Sequence, residues 1–352
     1  MVDHTRIGQW YRRAPVAFIA AAALIVFLII WIIRSMTGVG GGLIPFGGPR
    51  FQIVGFYENS TTGSLASLKT HYASMTQLSP RWFSVTATGS IKNVGYQPSV
   101  AAFVRTHHLK LLPLVTNLGS GMLDSASLRA TAAGNVATLV RQDHFSGVSL
   151  DFELLPPSAR TPYSAFVADV RKDLGSRATI AVSVFPLVGV PSSITAAYDY
   201  AALARSASYL VLMTYDRHSD GSTPGPVAPY GWVAASVNAA LKAVPAHKIV
   251  LAIGTYGYDW PNTGTAAAAT TVSDVQAKAL AHSYGITPKY DQTNSQNYFT
   301  YASSSGQRVV WYMGDRSASA RVALARSKHL LGVAIWELGD EDPAFWKTLK
   351  TP

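Results

Sequence analysis

From residue 51 onward, short apolar runs rich in β-branched residues alternate with segments of helical period. The runs at 52–57, 82–86, 110–116, 147–153, 179–185, 209–215, 248–253 and 332–336 predict strands. Helical periodicity marks 65–75, 125–141, 163–174, 198–207, 233–243 and 318–329. Strands that are nearly all apolar are buried on both faces, as parallel strands covered by helices must be. The fold class is therefore α/β, a (β/α)8 TIM barrel of ordinary size. Residues 266–308 break the rhythm with alanine, serine, threonine and tyrosine, and are expected to form a small insertion after the seventh strand. No internal repeat recurs at a fixed period.

Ahead of the barrel, residues 14–33 carry no charge over about twenty positions, a length that as a helix spans about 30 Å, the thickness of a bilayer core. Arg6, Arg12 and Arg13 precede the run and only Arg34 follows closely. The positive-inside rule then places residues 1–13 in the cytoplasm and the barrel outside, held by a single transmembrane anchor. A cleaved signal peptide on a secreted protein is the alternative, though its apolar region is normally shorter. Residues 34–50 are rich in glycine and proline and are expected to be a flexible linker before a barrel at 51–350. The glycines lack the lysine of a phosphate loop.

Composition narrows the function. Hydrophobic residues make up 48% and charged residues 14% of the 352, which excludes a disordered chain. With no cysteine, thiolate metal sites, disulfides and cysteine nucleophiles are all excluded. His107 and His108 are adjacent and cannot converge on one ion, so no metal or cofactor is expected. The net charge of +10 comes from scattered basic residues rather than a run. That pattern argues against nucleic acid and for attraction to an anionic surface, a membrane or an acidic wall polymer.

The densest chemistry lies at residues 146–153, Ser-Gly-Val-Ser-Leu-Asp-Phe-Glu. On a strand, Ser149, Asp151 and Glu153 share one face while Leu150 and Phe152 take the other. Two neighbouring carboxylates at a strand end raise each other's proton affinity, and burial raises it further, which equips one as a general acid. Barrel active sites lie at the C-terminal strand ends, where this chain places Met213, Tyr215, Asp216 and Trp336, with Tyr57, Trp82 and Asn117 ending the first three strands. Aromatic rings around carboxylates suit a pyranose, although Trp336 and Met213 read equally well as core residues.

These residues resemble glycoside hydrolase family 18, the chitinase-like barrels. Residues 146–153 are similar to the family's Asp-Gly-x-Asp-x-Asp-x-Glu signature, and Met213-Thr214-Tyr215-Asp216 to its Met-x-Tyr-Asp. Further similarity lies in Pro224-Gly225-Pro226, in Gly254-Thr255-Tyr256-Gly257-Tyr258-Asp259-Trp260, and in Trp336-Glu337-Leu338-Gly339. The likeness is greatest to spore-germination and cell-wall glycosidases and to hydrolase domains fused to polysaccharide deacetylases. It implies a retaining, substrate-assisted hydrolase of glycans containing β-linked N-acetylglucosamine, peptidoglycan or an exopolysaccharide before chitin. On that resemblance Glu153 is the acid/base, and Asp151 orients the 2-acetamido group and stabilises an oxazolinium. Tyr215 bonds near the same group, Met213 and Asp216 contact sugar, and Trp336 floors the subsite. Ser146 and Ser149 stand where the signature has aspartates, which bears on the pKa values of Asp151 and Glu153. A barrel that binds such glycans without cutting them is the alternative.

Overall fold

The chain divides into two units, Met1–Arg50 and Phe51–Pro352, and the computed structural model describes residues 51–59 and 62–349. The expected cytoplasmic segment, anchor at 14–33 and linker at 34–50 lie outside the described residues. Among the described residues no helix is long and apolar enough to cross a membrane.

The first half of the barrel runs β1 (Gln52–Tyr57), α1 (Thr62–His71), β2 (Gln77–Val85), β3 (Ile91–Asn93), α2 (Pro98–Thr106), β4 (Lys110–Leu111), β5 (Leu114–Asn117), α3 (Ala126–Gln142), β6 (Gly147–Asp151) and α4 (Arg160–Leu174). Then come β7 (Thr179–Val184), the short α5 (Ser192–Thr195), α6 (Tyr200–Ser206), β8 (Tyr209–Met213), α7 (Tyr230–Leu241) and β9 (Ile249–Gly254). An inserted layer follows, made of β10 (Tyr256–Pro261), β11 (Thr270–Ser273), α8 (Asp274–Ser283), β12 (Lys289–Asp291), β13 (Gln296–Ser303) and β14 (Gly306–Tyr312). The chain closes with α9 (Gly314–Ser327), β15 (Gly332–Trp336) and α10 (Phe345–Leu349).

Parallel pairing in the order β1-β15-β9-β8-β7-β6-β5-β2, completed by β1 against β2, closes the eight-stranded barrel. Two of its strands open on glycine because the neighbouring backbone is too close for a side chain. A Cβ on Gly147 would stand 1.8 Å from the Thr179 carbonyl oxygen, and one on Gly332 2.0 Å from that of Gln52. Helix starts follow the capping rules: the Ser125 side chain accepts from Leu128 N, and that of Asp199 from Ala202 N.

Strand parity sorts the core into two layers. Val54, Phe56, Leu114, Ala181, Tyr209, Val211, Val250, Ala252 and Ala334 fill the barrel interior. Ile53, Tyr57, Leu78, Val148, Leu150, Leu210, Leu251 and Val333 point outward under the helices. The insertion is larger than the sequence pattern suggests. It starts at Tyr256 and ends at Tyr312, forming an antiparallel sheet ordered β11-β10-β14-β13-β12. Its early start was hidden because β9 and β10 are separated by Thr255 alone, so the apolar run reads as continuous.

Candidate active site

Glu153, Asp151, Tyr215, Met213, Asp216 and Trp336 converge on one hollow of about 250 Å³ at the C-terminal strand ends. Phe56, Ser183 and Phe185 complete its wall. A wider cavity of about 910 Å³ adjoins it and shares Asp151, Glu153 and Trp336. Glu58, Arg81, Thr116 and Asn117 belong to this second space. The two together form a cleft that passes over the carboxylate pair.

Asp151 is the last residue of β6, faces inward and is buried. Its outward neighbours explain the placement: Phe152 stacks on Tyr163 at 5.5 Å and on Phe166 at 5.2 Å under the helices. Glu153 lies beyond the ladder, so the strand no longer fixes its aim. Asn117, at the end of β5, does so instead. Its Oδ1 accepts from Glu153 N at 2.9 Å, and its Nδ2 donates to Glu153 O at 3.2 Å and to Gly119 O at 3.2 Å. The next residue, Leu154, takes a left-handed φ of 52°, a conformation unfavourable by about 1–2 kcal/mol for a residue with a Cβ. The clamp and the turn together hold the Glu153 peptide.

Asn117 lines the wider cavity, as expected of a substrate contact, and its polar atoms are also engaged with backbone, as in a positioning residue. Asn117→Ala should lower kcat by roughly tenfold with KM little changed, because loosening a catalytic group without removing it costs about 1–2 kcal/mol. Equal loss in kcat and gain in KM, measured on one glycan, would show that Asn117 binds substrate after all.

The electrostatics divide the carboxylates. Burial, followed by the charges of Asp151 and Asp216, raises the Glu153 pKa to about 7, against a lowering by Arg81. Burial also raises Asp151, opposed by a hydrogen bond from Ser183 and by Arg81. Arg81 reaches Glu58 at 3.5 Å and remains half exposed, so it moderates the acidic cluster without neutralising it. Glu337, next to Trp336, is raised to about 8, chiefly by burial and then by Asp340 and Glu58. A carboxyl group poised near pH 7 beside a second carboxylate is fit for general acid/base work.

Asp216 is held by the insertion. Tyr256 and Tyr258, on one face of β10, donate to its Oδ1 at 2.6 and 2.9 Å. Although the residue is open to solvent on one side, the rings crowd its carboxyl, and this burial raises its proton affinity against the lowering by the two hydroxyls. Tyr215 packs edge-on against Tyr256 at 6.1 Å. Trp336 meets Phe56 edge-on at 5.4 Å, so the tryptophan forms part of the cavity wall as well as of the inner core.

Three residues expected at the site lie elsewhere. Tyr57 faces outward by parity with Ile53, and its hydroxyl donates to Gln97 Oε1 at 2.9 Å. Trp82 is fully buried outside the barrel, donating to Asn59 Oδ1 at 3.1 Å and packing on Tyr96. A register shift between Arg81 and Phe83 turns both Trp82 and Phe83 outward. Ser149 is buried one inward position below Asp151 and lines neither cavity. Sequence reasoning missed Arg81, Ser183, Tyr256 and Tyr258. Ser183 was legible as a polar residue at an inward position of the otherwise apolar β7, whereas Arg81 lies just ahead of the predicted strand at 82–86, in a β2 that also carries Gln77, Ser79 and Ser84. Among the described residues no group of His, Asp or Glu is placed to hold a metal ion.

A closed parallel barrel with a paired-carboxylate cleft walled by aromatic rings defines the class as that of a glycoside hydrolase. The chain belongs to the glycosyl hydrolases family 18, whose model matches residues 52–342. It is 24% identical over 315 residues to the uncharacterised glycosylase YvbX of Bacillus subtilis, covering 84% of this chain and 89% of that protein. It is 29% identical to the cortical fragment-lytic enzyme of the same organism over 71% of this chain, but spans only 62% of that enzyme's length. Among solved structures, the chitinase of Chromobacterium violaceum superposes with a TM-score of 0.79 at 26% identity, covering 85% of this chain and 98% of that one. The protein is thus a glycoside hydrolase by family.

Proposed function

We propose that the protein is a retaining, substrate-assisted hydrolase of glycans containing β-linked N-acetylglucosamine, acting on peptidoglycan or an exopolysaccharide in preference to chitin. The observation that carries the reading is the enclosure of Asp151, Glu153 and Tyr215 in one aromatic-walled hollow. Protonated Glu153 gives its proton to the glycosidic oxygen as the bond to the anomeric carbon breaks. The substrate's own acetamido oxygen attacks that carbon from the opposite face. Asp151 orients the acetamido N–H and balances the positive charge of the oxazolinium, with Tyr215 bonding beside it. Ionised Glu153 then draws a proton from water, which opens the ring with net retention. The cortical fragment-lytic relative speaks for a cell-wall glycan, and the chitinase neighbour for N-acetylglucosamine. We also propose that residues 14–33 anchor the enzyme, with the barrel outside the cell.

Asp216 is the other carboxylate in the hollow, but Tyr256 and Tyr258 both donate to its Oδ1 and hold it against the insertion. The route is tested by comparing N-acetylglucosamine oligomers with glucose oligomers of the same linkage. Cleavage is expected only of the acetamido-bearing chains. Comparable rates on plain glucans would overturn substrate assistance and put Asp216 in the nucleophile's place.

A further inference from the structure

All eight barrel strands run in one direction, so the turns entering them lie together on one face, opposite the cleft. Exposed cations gather there. Lys69 leads into β2, Lys110 sits below β5, Arg141 leads into β6, Arg177 into β7, Arg205 into β8 and Lys242 into β9. Arg141, His144 and Arg177 surround one open hollow of about 480 Å³ on this face. Basic residues at helix C-termini also answer the helix dipole, and some cations here are used in that structural way. Arg171 donates to the Ser206, Gly175 and Ala178 carbonyls, and Lys248 to those of Ala204 and Ala207. Among the described residues, Arg141 alone of the six exposed cations is tied, by one bond to the Asp173 carbonyl. The acids on the same turns are few, Asp143 and Asp173, whereas Glu58, Asp151, Glu153 and Asp216 line the cleft.

The chain enters the barrel on this basic face. Gln52 opens β1, its N–H donates to Leu331 O, and the Arg326 guanidinium lies 4.7 Å over the Phe51 ring. However residues 34–50 are arranged, seventeen residues reach no further than about 60 Å.

We propose that the face of the barrel formed by the turns before its strands docks on anionic lipid headgroups, so that the cleft points away from the bilayer. The proposal rests on the anchored reading for its proximity, and on charge complementarity for its orientation. A cation array against an anionic leaflet acts only within about 10 Å at ordinary ionic strength, a range that the short connection makes accessible.

The chain has no cysteine, so single labels can be introduced without removing any. Full-length Ser176→Cys carries a fluorophore on the basic face, and Ser158→Cys carries one on the cleft side after β6. Each is mixed with vesicles of phosphatidylcholine alone, or with added phosphatidylglycerol, bearing a headgroup quencher. With phosphatidylglycerol the label at 176 should be quenched several-fold more than that at 158. High salt, or the triple change Lys110→Glu, Arg141→Glu and Arg177→Glu, should abolish the difference. Equal quenching of both labels, or a difference that persists in phosphatidylcholine, overturns the docking face. Flotation with phosphatidylcholine alone reads the anchor separately. Flotation only with phosphatidylglycerol removes the anchor and keeps the face, and flotation with neither removes both.

Discussion

Glu153→Gln should reduce kcat by about 10²–10⁴-fold, the usual contribution of a positioned proton donor, which corresponds to roughly 3–5 kcal/mol of barrier. The amide keeps the shape and the Asn117 clamp on the peptide, so folding and affinity for an uncut oligomer should stay close to those of the parent. The parent's pH profile gives an independent check. A general acid must be protonated, and burial with two neighbouring carboxylates sets Glu153 near 7. Activity should therefore fall about tenfold per pH unit above that point. Asp151 must be ionised to balance the oxazolinium, and its own affinity for a proton is raised by burial. The acidic limb should accordingly begin above the ordinary aspartate range. Residual activity of Glu153→Gln within tenfold of the parent, measured on an unactivated oligomer, would falsify the assignment.

The barrel was legible because its code is coarse. Parallel strands buried on both faces read as apolar runs, and β15 matches its sequence-based bounds, 332–336. The site was legible where chemistry and parity agreed, at Asp151, Glu153, Met213, Tyr215 and Trp336. It was misread where position along a strand was used without parity. Tyr57 and Trp82 were chosen because each was taken to end a strand, yet β2 runs on to Val85 and both rings face the helices. A register shift such as that beside Arg81 leaves no mark in composition, and without it Trp82 cannot be placed. The roles of Tyr256 and Tyr258 depend on a sheet whose partner strand β14 begins at Gly306, 45 residues past the end of β10 at Pro261. Local pattern shows that they share a face with Trp260 but not that Asp216 lies opposite.

Asp151→Asn should lower turnover by about 10²–10³-fold, comparable to removing one preorganised charge-stabilising group. Its signature differs from that of Glu153→Gln. Asp151 contributes to the raised proton affinity of Glu153, so neutralising it should move the alkaline limb of the profile to lower pH, whereas Glu153→Gln should erase that limb. The substitution should also separate function from stability. Asp151 is buried, with 8% of its surface accessible, and an ionised carboxylate in such a place is unfavourable unless its surroundings compensate. Here the compensation is one hydroxyl, Ser183, and the field of a half-exposed arginine. An isosteric amide removes that desolvation cost while keeping a partner for Ser183, so Tm should hold or rise as kcat falls. A fall in Tm alongside activity would mean that Asp151 supports the barrel rather than the reaction, and the acetamido-orienting role would have to be given up.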